Sequence, residues 1–163
     1  MVSLKMEGLD KFIDLCDLTV KQTDKLCGRA IYPGGGIMYE YANQATRAIR
    51  TDPVGFRKGG MKWGPSKEQR DGLIESLGIA PIRKQRWGMN VKVGYDGYNN
   101  IVTERWPKGQ PNMMIARSVE SGTTFMQPQY FMEKAVQRAA PSVERAIEAQ
   151  FSEELTNIWG AKL

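Results

Sequence analysis

The chain has 163 residues, of which 41% are hydrophobic and 25% charged, and a formal net charge of +5; these values suit one folded domain better than a disordered chain. Histidine is absent, which removes the commonest general base and the commonest metal ligand. No apolar run approaches bilayer length and the first residues lack a signal-peptide core, so a protein made in the cytosol, without membrane contact, is expected.

Taken in order, Val2, Leu4 and Met6 alternate with polar residues and predict a short half-buried strand ending at Gly8. From Leu9 the apolar positions Phe12, Ile13, Cys16, Val20, Leu26 or Cys27, and Ala30 recur at three and four residues, the mark of an amphipathic helix. Cys16 and Cys27 would then lie about 16 Å apart along the axis, too far for a bridge, and read as buried free thiols. Tyr32-Pro33-Gly34-Gly35-Gly36 is expected to break this helix, with a second one running from about Ile37 to Arg50. The glycines do not end in Gly-Lys-Ser/Thr, so a phosphate loop is not indicated.

Residues 51–70 are rich in Gly and Pro, with Arg57, Lys58, Lys62, Lys67 and Arg70 interleaved with Phe56 and Trp63. They read as a mobile basic loop, suited either to nucleic acid through stacking and phosphate contacts or to docking on a neighbouring subunit. Asp71 to Leu77 predict a short turn or helix, and Trp87 to Tyr95 a period-two strand. The turn signals Asp96-Gly97 and Asn99-Asn100 precede β-prone Ile101-Val102-Thr103, which suggests a hairpin. Met113 to Val119 reads as another strand, with Arg117 pointing outward. It is expected to pass through Gly122 into a C-terminal helix near Pro128, where Thr123 or Thr124 could cap. In that helix Phe131, Ala135, Ala139, Val143, Ile147, Phe151 and Leu155 recur every four residues, a stripe that winds around a straight helix, with Pro141 available to kink it.

The fold expected is α+β: a small, mostly antiparallel sheet packed by long N- and C-terminal helices, one domain over 1–163. The far end of the last helix, Phe151, Leu155 and Trp159, is a candidate subunit contact. Glu120 reads as a residue that pairs or caps at the turn.

The run Val119-Glu120-Ser121-Gly122-Thr123, followed by Pro128, Phe131 and Ala135, resembles a signature of tailed phages, hydrophobic-Glu-x-Gly-Thr … Pro-x-x-Phe … Ala. It belongs to the gene-product-ten-like head-tail joining, or tail-completion, proteins of HK-type siphophages. Gly72-Leu73, Val91-x-Val93-Gly94 and the opening Gly8-Leu9-Asp10 are similar to further family segments in the same order, although no Pro-x-Asp-Thr precedes Gly72. The resemblance implies a non-enzymatic virion protein without cofactor or metal, assembled in the host cytoplasm. It implies a cyclic homo-oligomer, a hexamer by family expectation, between the head connector or stopper and the tail terminator or tail tube, around the DNA channel. Within it Lys58, Lys62, Trp63 and Lys67 are candidate partner contacts beside the helix tip. The alternative is a basic nucleic-acid-binding module using 57–70 together with Arg83, Lys84, Arg86, Trp87 and Lys92.

Overall fold

The computed structural model describes the backbone of residues 9–52, 60–86 and 88–160, with side chains from residue 14 onward within those ranges. The strand expected at the N-terminus, Lys58 and Trp87 lie outside them.

The architecture is α+β. Helix α1 (Leu9–Arg47) is followed by α2 (Lys67–Ser76), strands β1 (Leu77–Ile79), β2 (Arg83–Gln85), β3 (Gly88–Asn90) and β4 (Val93–Tyr95), then α3 (Asn112–Ser121) and α4 (Phe131–Gly160). Antiparallel β1 and β4 pair Leu77 with Tyr95 and Ile79 with Val93. Antiparallel β2 and β3 pair Arg83 with Asn90 and Gln85 with Gly88, forming a separate hairpin. The alternation from Trp87 to Tyr95 is therefore divided between two small sheets, interrupted at Val91 and Lys92.

α1 does not break at its glycines. It runs 39 residues through Pro33 and Gly34–Gly36, because α4 approaches it there. A Cβ at Gly34 would stand 2.8 Å from Ile147 Cδ1 and 3.1 Å from Val143 Cγ1, and one at Gly35 would stand 3.2 Å from Val91 Cγ1. Hydrophobic burial and dispersion at this close approach offset a propensity cost of about 1 kcal/mol per glycine. The two helices are antiparallel: Trp159 Nε1 donates to Thr19 Oγ1 at 3.1 Å, Arg29 pairs with Glu154 at 3.0 Å, and Gly34 faces Val143 and Ile147. α4 likewise continues through Pro141.

Two sequence expectations on α1 change. Val20 is 74% exposed and Cys16 is exposed as well, so of the expected stripe Leu26 and Ala30 are buried and these two are not. Both cysteines are free, as expected, but Cys27 is only half-buried.

The core forms where the helices meet the β1–β4 sheet. Ala42, Ile49, Leu73, Leu77, Tyr95, Ile115, Val119 and Phe131 cluster there, and Leu73 and Val119 are fully buried. α2 is launched by a capping box: Gln69 N donates to Ser66 Oγ at 3.1 Å while Ser66 N donates to Gln69 Oε1 at 3.0 Å. Residues 67–70, expected in a mobile loop, are thus the first turn of a helix.

The segment expected to be a strand at Met113–Val119 is helix α3. Its buried residues Asn112, Ile115, Ala116 and Val119 fall at three, four and seven, a helical period on which Arg117 points outward. Ile101–Thr103 forms no strand; Thr103 instead closes a turn with Trp106, whose N donates to the Thr103 carbonyl at 2.9 Å.

Candidate functional site

The residues of the phage-like signature converge at the corner between α3 and α4. The connection 122–130 links the two helices, so the corner joins helix to helix rather than strand to helix. Glu120, in the last turn of α3, spans the corner: Met132 N donates to its Oε2 at 2.9 Å and Glu133 N to its Oε1 at 3.0 Å. One carboxylate thereby satisfies two of the free N–H groups at the start of α4 and places negative charge at the positive end of the helix dipole.

Gly122 leaves α3 with φ 73°, and a Cβ there would lie 2.8 Å from Pro128 N and 2.9 Å from the Met126 carbonyl oxygen. Thr123 and Met126 close a tight turn, with Thr123 N donating to Met126 O at 2.8 Å. Thr123 Oγ1 accepts from Phe125 N at 3.3 Å, inside this turn, so it does not cap α4. Pro128 packs over Gly122 and precedes the helix, which starts at Phe131. Phe131 and Ala135 are buried, and the Phe131 ring tilts against Tyr95 with centroids 6.4 Å apart.

The end of the basic loop is tied to the same corner. Lys62 N donates to Phe125 O at 2.7 Å and Gln127 N to Lys62 O at 3.0 Å. Gln129, which the sequence did not single out, clamps three segments. Its Oε1 accepts from Arg50 N at 2.9 Å, and its Nε2 donates to Arg50 O at 2.8 Å and Trp63 O at 3.1 Å. Trp63 lies under the Arg50 guanidinium, 4.4 Å from the ring centroid, so its face is partly occupied by a cation of its own chain.

Lys67 pairs with Asp71 at 3.3 Å, as does Arg70. Desolvation acts to raise the Asp71 pKa, but the hydrogen bonds and charges of Lys67 and Arg70 prevail and hold it below the ordinary value. Gly72 and Leu73 follow directly in α2: Leu73 is fully buried, and Gly72 faces Asn99 and Asn112.

Within the core, burial pushes the Tyr95 phenol up to about 12, with the charge of Glu120 adding to the shift and the Thr46 hydrogen bond opposing it. Thr46 Oγ1 lies 2.7 Å from the Ala42 carbonyl oxygen and 2.6 Å from the Tyr95 hydroxyl, which in turn donates to Met132 Sδ at 3.6 Å.

Phe151, Leu155 and Trp159 stand apart from the corner, about 30–40 Å along α4. Leu155 is half-buried, while Phe151 and Trp159 are 39% and 45% exposed. Among the described residues, no group of three His, Cys, Asp or Glu side chains is placed to hold a metal. No helix of the described residues is long and apolar enough to cross a membrane.

The chain matches no protein-family model, no curated protein and no solved structure.

Proposed function

We propose that this chain is a structural, non-enzymatic protein of a phage neck or tail, forming a ring that joins or completes the tail at the head-tail interface around the DNA channel. The observation that carries this reading is the α1–α4 pair. Beyond Ala139, α4 has no buried side chain among the described residues, and it ends on exposed Phe151 and Trp159. A two-helix layer buries its apolar stripe only in part and favours a further layer, which a neighbouring subunit would supply. The signature-like corner fits the same purpose, because Glu120 and Gly122 fix the direction in which α4 leaves the core.

The partners in this reading are further copies of the chain, a hexamer by family expectation, with the head connector or stopper on one side and the tail terminator or tube on the other. Light scattering and negative-stain images test it. The expected result is a closed ring that Phe151→Asp with Trp159→Ser reduces to smaller species. A chain that stays monomeric at high concentration and in the presence of its connector and tube proteins would overturn it.

A second reading, a basic nucleic-acid-binding module, draws on β2, whose residues Arg83–Gln85 are all exposed. Binding of mixed-sequence DNA that collapses steeply with salt would favour it.

A further inference from the structure

We propose that the cleft between α2 and the 96–101 loop is a receptor for a basic peptide segment, and that its occupant is the β2–β3 hairpin of a second copy of this chain. The assignment rests on the ring-forming reading above and names one of its contacts.

The cleft encloses about 740 Å³ and is lined by Glu68, Asp71, Glu75 and Asp96, with no lysine or arginine in its lining. Asp71 is neutralised by Lys67 and Arg70. Glu68, Glu75 and Asp96 form no ion pair among the described residues. In a chain of net charge +5, this is a concentrated patch of the opposite sign.

A second observation is independent of charge. Asn99 and Asn112 also line the cleft and are only 5% and 3% exposed, yet Asn99 Nδ2 and Asn112 Oδ1 have no hydrogen-bond partner. Their other amide atoms fix their orientation. Asn99 Oδ1 accepts from Ile101 N at 3.2 Å and Gln110 N at 2.9 Å, and Asn112 Nδ2 donates to Asp96 O at 3.0 Å. One free donor and one free acceptor therefore remain at the base of an acidic cleft, each costly to leave unsatisfied.

A basic peptide supplies both missing partners. Both amide atoms are buried under the cleft surface; once its wall gives way to a peptide, a guanidinium or backbone N–H can donate to Asn112 Oδ1 and a backbone carbonyl can accept from Asn99 Nδ2, while the carboxylates of Glu68, Glu75 and Asp96 balance its cations. Tyr98, exposed at the rim, offers a ring face to an arginine.

The hairpin has the matching chemistry. Arg83 and Lys84 are exposed on a two-stranded sheet whose outer backbone edges are unpaired within that sheet. Lys84 pairs with Asp24 of α1, whereas α2 joins the core beside Ala42 and Ile49, about 30 Å further along the α1 axis. β1 and β4 lead from Ser76 and Asp96 of the cleft away towards the hairpin, so its tip points away from its own cleft and the complementary patches would meet between subunits, head to tail, as ring closure requires.

The test is fluorescence anisotropy with a labelled peptide of residues 81–92, titrated with the full chain. Binding is expected, weakened at least tenfold by Glu68→Gln with Glu75→Gln and unaffected by Glu148→Gln on α4. Gly72→Ala should also weaken it: the added methyl would stand 3.7 Å from Asn112 Oδ1 and Asn99 Cβ, an ordinary contact that fills the cleft wall without disturbing the fold. No binding, or equal binding to the cleft variants, would overturn the proposal. Light scattering separates it from the broader reading. A wild-type ring that persists unchanged in Glu75→Lys and in Arg83→Glu rejects this contact and leaves the ring intact. A monomeric wild type whose cleft still binds the peptide rejects both the ring and a second copy as the occupant.

Discussion

At the residue scale, the corner and the buried phenol make separable demands. Gly122 combines a left-handed backbone with a Cβ position that collides with Pro128 and Met126, whereas Gly97 has φ 67° with open space around its Cβ. Gly97→Ala should therefore cost only the left-handed penalty, about 1–2 kcal/mol. Gly122→Ala adds a steric clash against backbone and should cost clearly more; urea midpoints for the two variants that coincide would contradict the corner geometry.

Tyr95 makes a pH-dependent contribution. Its pKa is raised from 10.0 to about 12, so folding favours the neutral phenol. That contribution is complete below pH 10 and is lost as pH rises through about 12, a difference of about 2–3 kcal/mol for a two-unit shift. Tyr95→Phe should lose about 1 kcal/mol at neutral pH with its hydrogen bond, then fall less steeply than wild type between pH 10 and 12. Parallel pH profiles by chemical denaturation would exclude this role.

At the element scale, the glycines of α1 divide by what faces them. A methyl group added at Gly36 would meet nothing within 4 Å, while one at Gly34 would press on Ile147 and Val143. Gly36→Ala should stabilise the chain by up to about 1 kcal/mol through helix propensity. Gly34→Leu should lower the melting temperature by forcing the helices apart; the same rise for both variants would mean that α4 does not approach α1 there. This contrast also explains what the sequence could reveal. Pro33 and the three glycines are breakers by local propensity, and only the partner helix, far away in the chain, makes them useful within a helix. α3 is the converse case. The spacing of Asn112, Ile115, Ala116 and Val119 was helical and legible, but a short apolar run read as a strand because a polar Asn at the first core position hid the period. Glu120 as a cap and Gly122 at positive φ were readable from residue type alone. Gln129 and the Asn99–Asn112 pair were not, since an amide's partners are set by tertiary contacts that no local pattern encodes.

At the scale of the whole molecule, stability is unevenly distributed. The largest fully buried side chains, Leu73, Val119 and Thr46, lie where α1, α2 and α3 meet the sheet. The opposite half, from Asp14 to Ala30 of α1 against Val143 to Gly160 of α4, is held by a partial stripe with Leu26 and Ala30 as its buried apolar residues. The exposed Arg29–Glu154 pair adds little there. In a monomer this distal half should open locally and exchange its amide hydrogens well before the core. If neighbouring subunits complete its missing layer, protection must depend on concentration, because association shifts the opening equilibrium by mass action. Hydrogen exchange by mass spectrometry, over a hundredfold range of protein concentration, reads both effects at once. Peptides covering 14–30 and 143–160 should gain protection as concentration rises, while those covering 112–135 stay constant. Distal amides that exchange at one rate across the whole range would place the subunit contacts elsewhere, and the exposed Phe151 and Trp159 would then be no more than the loosely covered end of a helical pair.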